Sequence, residues 1–83
     1  MIYNFYAIKD LKVGYLEPKI EMNDDVAIRS FFHACSNVES IFYTSPGDFQ
    51  LWKLGSYDTD TGDLEKDLVF LVDAPKVKKK GVK

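Results

Sequence analysis

Asn23-Asp24-Asp25-Val26-Ala27-Ile28-Arg29-Ser30-Phe31-Phe32-His33-Ala34-Cys35-Ser36-Asn37 is the one stretch of this chain that carries helical periodicity. Ala27, Ile28, Phe31, Phe32 and Cys35 recur at the spacing of a helix stripe, with Ala34 at its margin. Arg29, Ser30, His33 and Ser36 fall towards the other side. Asn23 is a good N-cap, because its side-chain oxygen can take up an orphan backbone N–H. Asp24 and Asp25 then place negative charge at the positive end of the helix dipole. The stretch predicts one amphipathic helix ending near Asn37.

Everything on either side of it reads as strand or turn. Upstream, Ile2–Lys9 is rich in β-branched and aromatic residues. Tyr3, Phe5 and Ala7 would face one way, with Ile2, Tyr6 and Ile8 on the other. Lys9–Gly14 turns, and Tyr15–Met22 is a second strand that Pro18 restricts to an edge or to extended loop. Downstream, residues 38–48 read as loop, closed by the turn signal Ser45-Pro46-Gly47-Asp48. Phe49–Tyr57 reads as a strand in which Gly55 marks a bulge or a close backbone approach. Asp58–Asp63 is a hairpin connection whose Gly62 can take positive φ. Leu64–Val72 returns, and its wholly apolar Leu68–Val72 portion is expected to be buried. The predicted fold class is α+β: a small antiparallel sheet of three to four strands, in the order β-β-α-β-β, with one helix packed on one face.

With 83 residues the chain makes one domain, expected over residues 1–74, followed by a flexible lysine-rich tail over 75–83. A domain this small buries roughly 60–65% of the surface its unfolded chain exposes, so its stability is modest. Hydrophobic residues at 46% are enough for a packed core and argue against disorder. The single cysteine, Cys35, cannot form an internal disulfide. No signal peptide or membrane span is evident, so a soluble protein of the cytoplasm that contacts no membrane is expected.

The net charge of −2 conceals a division. Residues 1–73 hold all 13 acidic residues and only six basic ones (Lys9, Lys12, Lys19, Arg29, Lys53, Lys66), a net of −7. Residues 74–83 hold Lys76, Lys78, Lys79, Lys80 and Lys83 and no acid, a net of +5.

No catalytic constellation emerges, and an enzyme is not expected. His33 and Cys35 are two residues apart, which puts them on different faces of a helix. One His and one Cys are too few for zinc. From Asp58, an EF-hand would need Gly at its sixth position and Glu at its twelfth, where Asp63 and Val69 stand. No phosphate-binding glycine loop or nucleophile elbow occurs. Neither a metal nor another cofactor is expected. Arg29, the only arginine, is expected to pair with Asp25 or with the Asp58–Asp63 loop.

Two features rise above this background. The lysine tail offers salt-sensitive, sequence-independent attraction to nucleic acid, set against a merely solubilising terminus. The second is a surplus of aromatic rings, Tyr3, Tyr6, Tyr15, Phe42, Tyr43, Trp52 and Tyr57, several on strands and near Lys9 and Lys53. Aromatics standing on a sheet beside lysines are what single-strand binders use to stack bases, and equally what cores and dimer interfaces use. On Phe49–Tyr57, strict alternation puts Phe49, Leu51 and Tyr57 on one face and Trp52 and Leu54 on the other. One helix cannot cover both, so a second subunit or a ligand is expected over Trp52.

Asn23, Ala27-Ile28-Arg29-Ser30-Phe31, Ser45-Pro46-Gly47-Asp48-Phe49-Gln50-Leu51, Gly55, and Asp58 through Thr61-Gly62 follow one another at intervals that carry a resemblance. Over roughly residues 1–72 the chain resembles the small non-structural protein of gokushoviruses, tailless microviruses with single-stranded DNA genomes that infect bacteria. The resemblance implies a non-enzymatic accessory protein in viral DNA replication, helping the switch from duplex replication to single-strand synthesis and packaging. It supplies no catalytic residue. With the residues, it leads to a DNA-binding expectation. Lys76, Lys78, Lys79, Lys80 and Lys83 would engage phosphates, and Trp52, Tyr57, Tyr3 and Lys53 would form a stacking platform for single-stranded DNA. The alternatives are a module that binds the viral replication initiator or a host replication factor, and a homodimer in which each tail contacts the other subunit's acidic body.

Overall fold

The computed structural model describes residues 1–76. In chain order these form β1 (Ile2–Asp10), β2 (Gly14–Tyr15), β3 (Lys19–Glu21), α1 (Asp24–Cys35), α2 (Ile41–Thr44), a 3-10 turn (Pro46–Asp48), β4 (Phe49–Asp58) and β5 (Leu64–Asp73). All strand pairings are antiparallel. The sheet runs β2-β1-β4-β5, with β3 also on β1. The α+β class and the single main helix are as the sequence predicts, but the sheet has five strands rather than three or four. The second predicted strand divides at Leu16–Pro18, since proline cannot donate to the ladder. Its halves pair separately along β1, Tyr15 opposite Lys9 and Ile20 opposite Phe5.

α1 begins at the expected cap: the Asn23 side chain accepts from the Val26 N–H at 2.9 Å. Ala27, Phe31 and Cys35 are its buried stripe. They pack on Tyr6, Phe49, Leu51 and Ala74, flanked by Ile8, Leu16, Ile28, Phe42, Leu71 and Val72. The predicted loop 38–48 contains α2, capped by the Ser40 hydroxyl, which accepts from the Phe42 N–H at 3.0 Å. α2 brings the Phe42 ring edge-on to Phe49, 4.8 Å between centroids.

The core occupies one end of one face. α1 is 12 residues long, about 18 Å at 1.5 Å per residue, against a longest molecular dimension of 54 Å. The distal β4–β5 hairpin extends beyond the helix; Leu68 and Phe70 point to the face α1 does not cover, and they and Val69 are exposed rather than buried. An apolar run signals burial only where another layer covers it, and one face of this run has none among the described residues. Only Leu71 and Val72 of that run pack against the core.

Two irregularities set which residues share a face. Phe5 pairs with Gly55 while Tyr6 pairs with Lys53, so Leu54 is an extra residue in β4. At Gly55 a Cβ would collide with the backbone carbonyl oxygen of Glu65, so only glycine allows β5 to lie that close. The bulge and the close approach expected at this position are both present. Gly62, at φ 80°, makes the turn that joins β4 to β5.

Candidate nucleic-acid interface

β1 is regular and sorts the sheet's side chains. Asn4, Tyr6 and Ile8 point to the helix side, where the Asn4 amide donates to the Tyr6 hydroxyl at 3.0 Å. That hydroxyl in turn donates to Asp24 at 2.6 Å. Burial, then the bond to Asp24, push the Tyr6 phenol up to about 12. Tyr3, Phe5, Ala7 and Lys9 point to the opposite, helix-free side. Cross-strand partners share a face, so the pairing extends this sorting. β2 and β3 contribute Tyr15 and Ile20, and β4 contributes Gln50, Trp52 and Tyr57. β5 contributes Leu64, Lys66 and Phe70, with Leu68 between them in the same alternation.

The helix-free face is therefore an aromatic surface in two clusters. Towards the tip, the Tyr57 ring lies 5.3 Å from Phe5, stacked, and 6.0 Å from Tyr3. Nearer the other end, Trp52 meets Tyr15 at 6.0 Å and Phe70 at 5.6 Å, both edge-on. The Lys9 ammonium stands 5.2 Å from the centroids of both Tyr15 and Trp52. The Trp52 indole N–H donates to Gln50 Oε1 at 2.9 Å, and the Gln50 amide donates to Asp73 at 3.2 Å. These bonds fix the indole in place while leaving its neighbours open: Phe70 remains 44% exposed and Tyr15 39%.

Charge is sorted by the same alternation. Strand residues Asp10, Glu21, Asp58, Glu65 and Asp67 lie on the helix side, as do Lys19 and Lys53. The aromatic face carries Lys9 and Lys66 against Asp73 alone. Among the strand residues, negative charge is thus concentrated on the helix side.

Of the residues singled out from sequence, Trp52, Tyr57 and Tyr3 lie together on this face. Tyr57 reaches it only because the Leu54 bulge reverses the alternation that would have grouped it with Phe49 and Leu51. Lys53 does not join them. It pairs across from Tyr6, on the helix side, and its ammonium is 3.8 Å from Asp67. Tyr6 is a core residue, and Phe42 packs on Phe49. Lys76 is exposed; Lys78, Lys79, Lys80 and Lys83 lie outside the described residues. Phe5, Phe70 and Lys66 were missed, and Lys9 and Tyr15 were noted without being placed in the platform. The signal for Phe5 was available in the Tyr3-Phe5-Ala7 alternation; Phe70 was hidden in a run that looked buried.

Elsewhere the chemistry is quiet. Burial pushes the Cys35 thiol up, which keeps it protonated, and His33 is exposed. Arg29 is exposed and forms no ion pair among the described residues. Among those residues no group of three or more His, Cys, Asp or Glu is placed to hold a metal ion.

The model of the phage ORF5 protein family matches residues 3–77, nearly the whole chain. The chain belongs to that family. It is accordingly a phage protein, and the aromatic face lies entirely within the matched region. No curated protein and no solved structure matches it.

Proposed function

We propose that this phage protein is a non-enzymatic accessory factor that binds single-stranded DNA on the helix-free face of its sheet. It would act in single-strand synthesis or the switch to genome packaging, in the cytoplasm of the infected host. A gokushovirus origin, implied by the sequence resemblance, fits this role.

The observation that carries the reading is the sorting of side chains. Two clusters of partly exposed rings and two lysines share one face, while most strand carboxylates are on the other. Base stacking on aromatic side chains contributes about 1–3 kcal/mol per base and needs no particular sequence, because every base has a π-face. Lys9 and Lys66 supply positive charge for the backbone beside the rings, and the lysine tail would add a further salt-sensitive attraction. This placement weakens the objection that an acidic body repels DNA, since five of the six strand carboxylates face away.

Trp52 is the only tryptophan, so its emission reports the site directly. Titration with a labelled single-stranded oligonucleotide at low salt should quench Trp52 emission while anisotropy rises. Trp52→Ala should weaken binding by about 1–3 kcal/mol. Anisotropy that rises without quenching would move the contact to the tail, and no rise at all would defeat the reading.

A further inference from the structure

We infer that β5 is a self-pairing edge through which two copies of this chain join their sheets, antiparallel and centred on Leu68. The two edges of the sheet are treated differently. β1's outer edge is occupied by the short β2 and β3, with Pro18 in the link between them. Among the described residues β5 pairs only with β4; it runs for 10 residues without proline and is exposed from Leu64 through Phe70. Its outer row of backbone N–H and C=O groups has no strand partner among the described residues, which is the template natural edges usually blunt.

The side chains select a second copy and a register. A two-fold axis perpendicular to the sheet keeps each copy's faces on the same side, so paired residues must come from the same face. Leu64, Lys66, Leu68 and Phe70 share the aromatic face, so an even residue pairs with an even one and the axis passes through a residue. Centred on Lys66, the pairing sets Lys66 against Lys66 and Glu65 against Asp67. Centred on Asp67, it sets Asp67 against Asp67, and centred on Val69 it takes Lys66 away from the Phe70 ring and puts Asp67 opposite the irregular Leu71. Like charges directly opposite are unfavourable. Centred on Leu68, Leu68 meets Leu68, Asp67 meets Val69, and each Lys66 lies across from the other copy's Phe70 ring. Over the regular stretch Lys66–Phe70, no like charges oppose one another in that register.

The step in β4–β5 register between Lys66 and Val69 adds local twist, and Leu71 is a further extra residue. The regular match is therefore short, and the dimer is weak, with Kd on the order of micromolar or higher. The inference is independent of DNA binding. Its structural consequence is that both aromatic faces lie on one side of a continuous sheet.

Sedimentation of the full chain without DNA should show a monomer–dimer equilibrium, which Leu68→Asp shifts to monomer. Mild oxidation should cross-link Leu68→Cys into a disulfide dimer. Residues directly opposite across a sheet have Cα atoms about 4.5–5.5 Å apart, within disulfide range. Glu65→Cys should not cross-link, since each Glu65 lies opposite Leu71, and the native Cys35 is only 1% exposed. A chain that stays monomeric at about 1 mM, or equal cross-linking at both positions, would overturn the inference.

Discussion

The two faces of this sheet are built from the same strands, one residue apart, and have opposite fates. On the helix side, Tyr6, Phe49 and Leu51 close onto Ala27, Phe31 and Cys35. Small residues in the α1 stripe let the helix approach, and Phe31 fills the space between. On the other side Tyr15, Trp52, Phe70, Tyr3, Phe5 and Tyr57 have no layer above them. They cover one another edge-on or stacked and remain partly open to solvent. Among the described residues there is one helix long enough to form a layer and two sheet faces that need one. The face that stays uncovered is available for a partner.

The sharpest test of that contrast compares two phenylalanines. Phe31→Ala empties the centre of the only core, where the side chain is 2% exposed, and should cost about 3–5 kcal/mol in urea denaturation. Phe70→Ala removes a ring that is 44% exposed and should cost well under half as much. Equal losses would mean that the aromatic face is a second core, and the distinction between faces would fail.

Gly55→Ala attacks the device that populates the open face. The new methyl would press on the Glu65 carbonyl, and the strands must part or twist to admit it. A loss of about 1–3 kcal/mol is expected in thermal unfolding. The loss of Tyr57–Phe5 stacking should also show in the near-ultraviolet circular dichroism. A melt unchanged from wild type would mean the hairpin relaxes freely there.

Tyr6→Phe probes the polar group on the buried side. Its hydroxyl links Asn4, Tyr6 and Asp24, and deleting it leaves the partly buried ends of that chain unpaired, at a cost of about 1–2 kcal/mol. The phenol is raised from 10.0 to about 12 by burial and by the Asp24 bond. The folded state therefore holds its proton more tightly than the unfolded state does. That contribution is complete below pH 10 and is lost as pH rises through 12. Alkaline titration of stability should show this decline in the wild type and a shallower one in Tyr6→Phe. Identical curves would exclude Tyr6 as the group responsible.

The helix was legible because its signals agree: Asn23 as cap, two aspartates in the first turn, and an apolar stripe of period 3.6. The strands and the Gly62 turn were legible for the same reason. What alternation alone could not supply was the parity change at Leu54. Gly55 signalled an irregularity, but its direction depends on which strand takes the extra residue, and that is a property of the pair. Tyr57 consequently changed sides relative to simple alternation, while Lys53 kept the side it shares with Phe49 and Leu51. The exposure of Leu68–Phe70 was hidden because apolarity records a preference for cover, not the presence of a layer. The separation of strand charges became visible only once the pairing register had assigned each strand carboxylate to a face.

The smallest expected effect is the most specific to function. Lys9 contributes to the open face in two ways, through its stem and through its ammonium over Tyr15 and Trp52. Lys9→Met keeps an unbranched apolar stem of similar length and removes the charge. Stability should change by less than about 1 kcal/mol, the size of an exposed cation–π contact. If DNA runs across this face, the slope of log affinity against log salt should fall by about 0.7, the contribution of one phosphate contact on a single strand. A change in slope without a change in stability would separate the two roles of Lys9 and assign its charge to the ligand. A change in stability alone would make Lys9 a structural cover for Trp52, leaving the rings without the cation that the DNA reading requires.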